Sequence, residues 1–502
     1  MELKELPNNT KLNLFWHNYK FFPYERELAI REVKQLLIPA EIKEFKTSLE
    51  ISTYTNSANI DKLVYFSHAQ INDTLIETIQ HKFERSINDR KRQNTRYSVH
   101  GLHEYKGKFN PQVVRSLFNI YGIKEGDSIL DPFCGSGTTL VEASHCGINA
   151  NGTDINPLAA LIANTKINAL SIKYSDLEKV ISTLLSDYKN ELKDFKVAEV
   201  TDRLNYLRDW FPEDILRQIE YLHFRTEPLS LNVKNVIRIV VSNLLRDYSL
   251  QEPKDLRIRR RKSPFPTISF YESLSKELCL FVSNLKGFQS RFGLIKSSNI
   301  ALNEDIRNSN NGLGQFDFAI TSPPYATALP YIDTQRLSLV WLSLIEPNQI
   351  RDLESQLIGS REFQMKSEQN AWSDLFRVNN FELPTEVFEL CDQLYSKLSK
   401  EDGFRKRALP SLLYRYFYDM KRAFKNVHNH LKPNAHFALI VGHNHTMIGG
   451  TRTEINTPEL LGIIGKQIGF KLHEMTALEA YQRYGLNASN AVQKESLIVF
   501  KK

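Results

Sequence analysis

Ser322, Pro323, Pro324 and Tyr325 follow one another directly after the apolar run "FDFAIT". Two prolines cannot donate to a sheet ladder, so a strand must end there. The corner that results is stiff and carries a hydroxyl, fixed carbonyls and an aromatic ring, a set suited to holding a small planar group. A second stretch, "DPFCGSGTT", runs from Asp131 to Thr139. Gly135 and Gly137 let the backbone turn tightly toward a ligand after a strand that ends at Asp131. The spacing is not GxGxxG and no Lys-Ser/Thr pair follows, so a phosphate-cradling loop is not expected. An acid at the mouth suits a ligand with positive charge.

Asp154 ends the next strand-like run, about 20 residues beyond the glycines, where an acid accepts hydrogen bonds from ribose hydroxyls. Together the two acids suggest a nucleoside with a cationic tail, S-adenosylmethionine. The competing reading is structural: glycine and aspartate serving only as turn and cap residues.

With "KFNP" (Lys108–Pro111) upstream and "NEDIR" (Asn303–Arg307) between, these motifs resemble the amino-methyltransferases, which methylate an exocyclic NH2 of a nucleobase. The resemblance covers roughly residues 100–170 and 298–500. It implies a Rossmann-like α/β sheet, mostly parallel with a C-terminal antiparallel hairpin. It implies Ser322, Pro323, Pro324 and Tyr325 as the catalytic corner. By the same resemblance Phe109 packs near the methionine part of the cofactor, Asp305 meets the adenine amine, and Phe133 lies along the cofactor, beside Asp131, Gly135, Gly137 and Asp154. No metal is implied.

The chemistry suits the motif. An exocyclic amine is a poor nucleophile because its lone pair is delocalised into the ring. The Ser322 hydroxyl and the Pro323 carbonyl can accept both N–H bonds and favour a pyramidal nitrogen, with little reorganisation. Tyr325 can stack on the base. Methyl transfer is then largely a matter of positioning. Within a duplex the base must first flip out.

Serine at the first motif position is associated in this family with cytosine N4, and Asp or Asn with adenine N6. The expectation is therefore a cytosine-N4 DNA methyltransferase, the modification part of a restriction–modification system whose endonuclease is a separate protein. Adenine N6, an RNA base, and a non-catalytic nucleic-acid binder on the same scaffold are the alternatives. Cytosine C5 chemistry is rejected, since none of the four cysteines follows a proline.

The elements that must position these groups are legible in part. "NPQVVRSLFNIYG" offers Asn110 as N-cap, Pro111 as first helical residue and Gly122 as stop. Two strand–loop–helix units in tandem, the second with its helix opened by Pro157, predict a parallel sheet. The rhythm breaks over 171–297, read as a mostly helical insertion. It resumes over 298–502, with a second insertion near 346–410. "HFALIVGH" predicts a fifth strand, and "GFKLHEM" with "ESLIVFKK" a closing hairpin. Residues 1–95 form a separate unit without visible chemistry, containing a helix at Pro23–Leu37 and a strand at Lys62–His68.

Of the 502 residues 41% are apolar and 25% charged, ordinary for a globular protein. No apolar run or leader suggests a membrane or secretion. The cysteines lack CxxC spacing, which fits a reducing cytoplasm. A net charge of +7 is concentrated in "RKRQNTR" (Arg90–Arg96) and "RIRRRK" (Arg257–Lys262), candidate phosphate contacts. The 171–297 insertion is expected to grip the DNA backbone and 346–410 to read bases. His443 and His445, at i and i+2, read as a loop beside the site rather than a metal site.

Overall fold

A computed structural model describes residues 10–53, 59–84, 93–105, 107–197, 200–256, 258–308, 313–326, 331–361, 363–479 and 494–502. The first unit is an antiparallel sheet of β1 (Thr10–Trp16), β2 (Pro39–Glu44), β3 (Ser48–Thr53), β4 (Phe66–Ile71) and β5 (Thr74–Glu77), ordered β2-β3-β1-β4-β5. The expected helix spans Pro23–Leu37. The expected strand begins only at Phe66, because residues 60–65 turn instead.

The second sheet has seven strands. Its members are β6 (Ser128–Asp131), β7 (Asn149–Thr153), β8 (Ile300–Leu302), β9 (Phe316–Thr321) and β10 (Leu431–Gly442), with two further strands nearer the C-terminus. After β10 comes a separate hairpin of β11 (Asn444–Ile448) and β12 (Thr451–Ile455). The closing strands are β13 (Lys471–Glu479) and β14 (Lys494–Lys501). The order is β13-β14-β10-β9-β6-β7-β8. From β8 to β10 all neighbours are parallel, while β14 runs antiparallel to both β10 and β13. This is the Rossmann-like methyltransferase sheet with its antiparallel hairpin.

The central strands β6 and β9 and the C-terminal half of β10 are buried on both faces, as parallel strands under helices must be. Alternate residues divide the core in two. Ile129, Phe318 and Ile320 pack on one side, against the first unit and the helical insertion. Leu130, Ala319, Phe437 and Leu439 pack on the other, against the helices of residues 366–468.

The insertion at 171–297 is helical, with helices at Tyr174–Glu191, Asp202–Trp210, Glu213–Thr226, Leu231–Leu245 and Phe270–Phe292. The second insertion carries short helices at Ile350–Gln356, Lys366–Arg377 and Thr385–Ser396. The helix Phe404–His430 spans the expected boundary at 410, with Pro410 inside it. The first unit is fastened to the far edge of the large sheet by a two-pronged ion pair. Arg31 donates to both oxygens of Glu474 on β13 at 2.6 and 2.7 Å, and Tyr121 donates to the same carboxylate. Among the described residues no helix is long and apolar enough to cross a membrane.

Candidate active site

The parallel strands place a cleft at their carboxyl ends, where open α/β sheets bind ligands. It encloses about 870 Å³ of empty space, part of it open to solvent, within the range of small-molecule sites. Phe133, Gly135, Asp154 and Asp305 line it together with Ser322, Pro323, Pro324 and Tyr325. The two motifs, nearly 190 residues apart in sequence, thus face one space.

The glycine loop follows β6. Gly135 has φ +49°, and a side chain there would press on the Tyr105 ring. Gly137 has φ +78° and starts the helix Thr138–His145, and its Cβ would lie 2.6 Å from that of Ala163. Gly137 therefore lets two helices touch and does not itself line the cleft. Beneath the loop the buried Lys166 donates to the Ser136 carbonyl at 3.1 Å, and burial holds its pKa well below the ordinary lysine value.

Asp154 follows β7. One of its oxygens accepts from the Gly135 N–H at 3.0 Å and the other from the Asn156 N–H at 2.9 Å. A carboxylate has about four acceptor positions, so capacity remains toward the cleft for two ribose hydroxyls. Burial pushes its pKa up to about 6. Asn156 then caps the helix Pro157–Ala169. This acid, the glycine turn and the aromatic walls of Tyr105, Phe133 and Tyr331 fit the nucleoside and sulfonium parts of S-adenosylmethionine.

Asp131 is buried behind the cleft rather than lining it. Its Oδ1 accepts from the Thr321 hydroxyl at 2.7 Å and from the Phe133 N–H at 3.2 Å. Burial raises its pKa to about 6. Phe109 packs against the core and is likewise absent from the lining. Asp305 lines the cleft, but its carboxylate is held by Arg307 at 2.7–3.0 Å. Arg307 also pairs with Asp419 at 2.9 Å and donates to the Gln356 carbonyl at 2.5 Å.

The catalytic corner is tied down residue by residue. Thr321 is bonded to Asp131. The Pro324 carbonyl accepts from Tyr416 at 3.1 Å, and Tyr325 donates to Glu495 at 3.0 Å. Burial, then the neighbouring Glu495 carboxylate, raises the Tyr325 pKa, so its phenol stays protonated. Between these ties, the Ser322 hydroxyl and the Pro323 carbonyl have no hydrogen-bond partner among the described residues. Residues 327–330 of the stretch lie outside the described residues.

Several lining residues had no signal in the sequence: Tyr105, Tyr331, Arg307, and the wall Gln356, Leu357 and Ile358. The basic run "RIRRRK" is partly consumed within the fold. Arg261 donates to the carbonyls of Arg246, Asp247, Ser249 and Pro264, Arg259 pairs with Asp255, and Arg260 stacks on Trp210. Arg257 and residues 90–92 of "RKRQNTR" lie outside the described residues.

His100, Glu142 and His145 lie close enough together to suggest a metal site. The Glu142 carboxylate, however, already accepts from Tyr97, His100, Arg115 and His145. Burial, the largest single influence, would raise its pKa, but the Arg115 guanidinium, His145 and the hydrogen bonds from His100 and His145 together hold it well below the usual range. Arg115 supplies the positive charge that a metal would bring.

Sheet order and cleft suit a methyltransferase that uses S-adenosylmethionine. Residues 10–165 match the family model described as DNA methylase. That match takes in the first unit, where the sequence alone displayed no chemistry. Over 452 residues the chain is 26% identical to the type II methyltransferase M.BsoBI of Geobacillus stearothermophilus, covering 82% of this chain and 85% of that protein. It is 25% identical to the type II methyltransferase M.MvaI of Kocuria varians over 414 residues, 76% of this chain and 86% of the relative. A shorter segment of 105 residues is 40% identical to a tRNA (guanine(10)-N2)-dimethyltransferase of Methanocaldococcus jannaschii, covering 20% and 29% of the two chains.

Proposed function

We propose that this chain is a site-specific DNA methyltransferase that modifies the exocyclic amine of a flipped base, cytosine N4, as the modification component of a restriction–modification system. The observation that carries the reading is the pattern of ties at the corner. Thr321, Pro324 and Tyr325 are each committed to a protein partner, while Ser322 Oγ and the Pro323 carbonyl between them are left to a substrate.

When bound, S-adenosylmethionine supplies an electrophilic methyl group. Asp154 holds the ribose. Ser322 and the Pro323 carbonyl accept the two amine hydrogens and direct the nitrogen lone pair into the cleft. Tyr325 stacks on the base at an orientation set by Glu495. Such fixed acceptors need no reorganisation as the nitrogen becomes tetrahedral. The helical insertion at 171–297 and the segment 346–410 supply surfaces that hold the duplex. Four free cysteines suit a reducing cytoplasm.

The test is incubation with duplex DNA and labelled S-adenosylmethionine, followed by mass spectrometry of the nucleosides. N4-methylcytosine is expected. N6-methyladenine would move the target to adenine. Label entering only structured RNA would favour the RNA reading, for which the local likeness to the tRNA enzyme speaks.

A further inference from the structure

The hairpin β11–β12 leaves the same edge of the sheet as the cleft. It follows β10, which lies beside β9, the strand that ends in the catalytic corner. At its root Gly442 pairs with Glu495, and Glu495 holds the Tyr325 hydroxyl. The hairpin thus rises next to the place of the base, at the end of the cleft away from the glycine loop.

Its two faces differ. Directly opposed residues of an antiparallel pair share a face. Ile448, Thr453 and Ile455 are buried on the inner side. That side is latched to the preceding helical segment. Asp402 accepts from the Gly449 N–H at 3.0 Å, and Lys397 donates to Thr453 Oγ1 at 3.3 Å. The outer side carries the pairs Met447/Arg452 and His445/Glu454. Met447 is 47% exposed, and the side chains of Arg452 and Glu454 are 52% and 65% exposed.

A two-stranded ribbon is one of the two shapes that the major groove admits. Arginine pairs with guanine edges, glutamate accepts from the cytosine amine, and an apolar side chain meets the thymine methyl. All three chemistries stand on this one face, on a ribbon whose other face is fixed. In the free protein Arg452 and Glu454 hold each other at 2.6 Å. An exposed pair of this kind contributes little, so exchanging it for base edges costs little. The adjoining segment 397–407 has five basic residues against two acidic ones, a charge that suits phosphates on either side of a groove.

We propose that the outer face of this ribbon, through Arg452, Glu454, Met447 and His445, reads base edges in the major groove of duplex DNA beside the flipped base. The proposal rests on the DNA-methyltransferase reading above and adds to it the element that selects the sequence.

The experiment maps methylated positions in a fragmented genomic DNA treated with the full chain and S-adenosylmethionine. It compares wild type with Arg452→Ala and the near-isosteric Glu454→Gln. The expected result is modification of additional sites that differ from the wild-type site at one base pair, with discrimination there falling by about tenfold or more. Cofactor affinity, read by calorimetry, stays at the wild-type value and reports that the fold is intact. Should Arg452→Ala fold poorly, Glu454→Gln carries the same expectation. Unchanged discrimination at every position in a folded variant overturns the proposal while leaving the enzyme reading in place. A wild type that methylates no duplex DNA, or variants that alter only the modification of structured RNA, overturns both.

Discussion

The Thr321 hydroxyl donates to Asp131 at 2.7 Å, joining the last residue of the strand before the catalytic corner to the last residue of the strand before the glycine loop. The bond sets the distance between the two motifs from behind. Thr321→Val leaves a buried carboxyl short of a partner and should destabilise the fold by about 1–3 kcal/mol in denaturant unfolding. Turnover should fall as well, because the corner loses its fixed height above the loop. A variant with wild-type stability and turnover would show that the bond positions nothing.

Ser322→Ala removes one of two acceptors meant for the substrate amine. Turnover should drop about a hundredfold, the scale of losing one preorganised group at a developing charge. Cofactor affinity, measured by calorimetry without DNA, should stay the same. Equal losses in both would move Ser322 to the cofactor.

Asp154 and Asp131 both have pKa values raised to about 6 by burial. The folded state therefore favours their protonated forms. The stability this contributes is fully present below the ordinary aspartate value near 4 and is lost as pH rises through about 6. Cofactor binding has the opposite sense, since an ionised Asp154 is the stronger acceptor for ribose hydroxyls. Affinity should fall as pH drops from 7 to 5, and Asp154→Asn should bind weakly at every pH with a flattened profile. A wild-type affinity that is flat across this window would detach the ionisation of Asp154 from cofactor binding.

Glu495 is 170 residues from Tyr325 in sequence and accepts its phenol hydrogen at 3.0 Å. Tyr325→Phe and Glu495→Ala each remove that bond and should lower turnover. The double variant should be little worse than either, giving a coupling of about 1 kcal/mol in a double-mutant cycle. Glu495→Gln keeps an acceptor and should recover much of the loss. Additive effects would mean that the two side chains act separately.

Arg261 belongs to a basic run that reads as a phosphate contact, yet its guanidinium donates to four backbone carbonyls. Arg261→Ala should cost about 1–3 kcal/mol of stability and leave the salt dependence of DNA binding nearly unchanged. Lys262, exposed beside it, should behave in the reverse way. A reduced salt slope in the Arg261 variant would restore it to the DNA surface.

How much of this was legible follows from how each feature is encoded. The catalytic corner was visible because two prolines after an apolar run leave the chain no alternative to ending a strand. The glycine loop and Asp154 were visible because their spacing matches one strand–loop–helix unit. Asn110 before Pro111 marked a helix start and caps it as expected, and the helix read from Pro157 is capped by Asn156. Glu495, Tyr416 and Gln356 were not legible, since the first two reach the corner and the third the cleft wall from distant parts of the chain, with no local pattern. The charge of Arg261 could be counted in sequence, but its use on carbonyls depends on where Leu231–Leu245 ends. The segment around His445 read as a loop because each short strand carries one apolar residue on its inner face, Ile448 or Ile455, among Asn and Thr, while Met447 stands on the outer face, so apolar alternation is weak.

The grip of Arg31 on Glu474 spans 443 positions of the chain. During synthesis the residues around position 31 emerge long before their partner on β13 exists. The early antiparallel sheet must therefore persist unclamped while several hundred residues are added, at about 5–20 residues per second. The clamp closes among the last events of maturation, so its formation reports that the whole large sheet has been assembled.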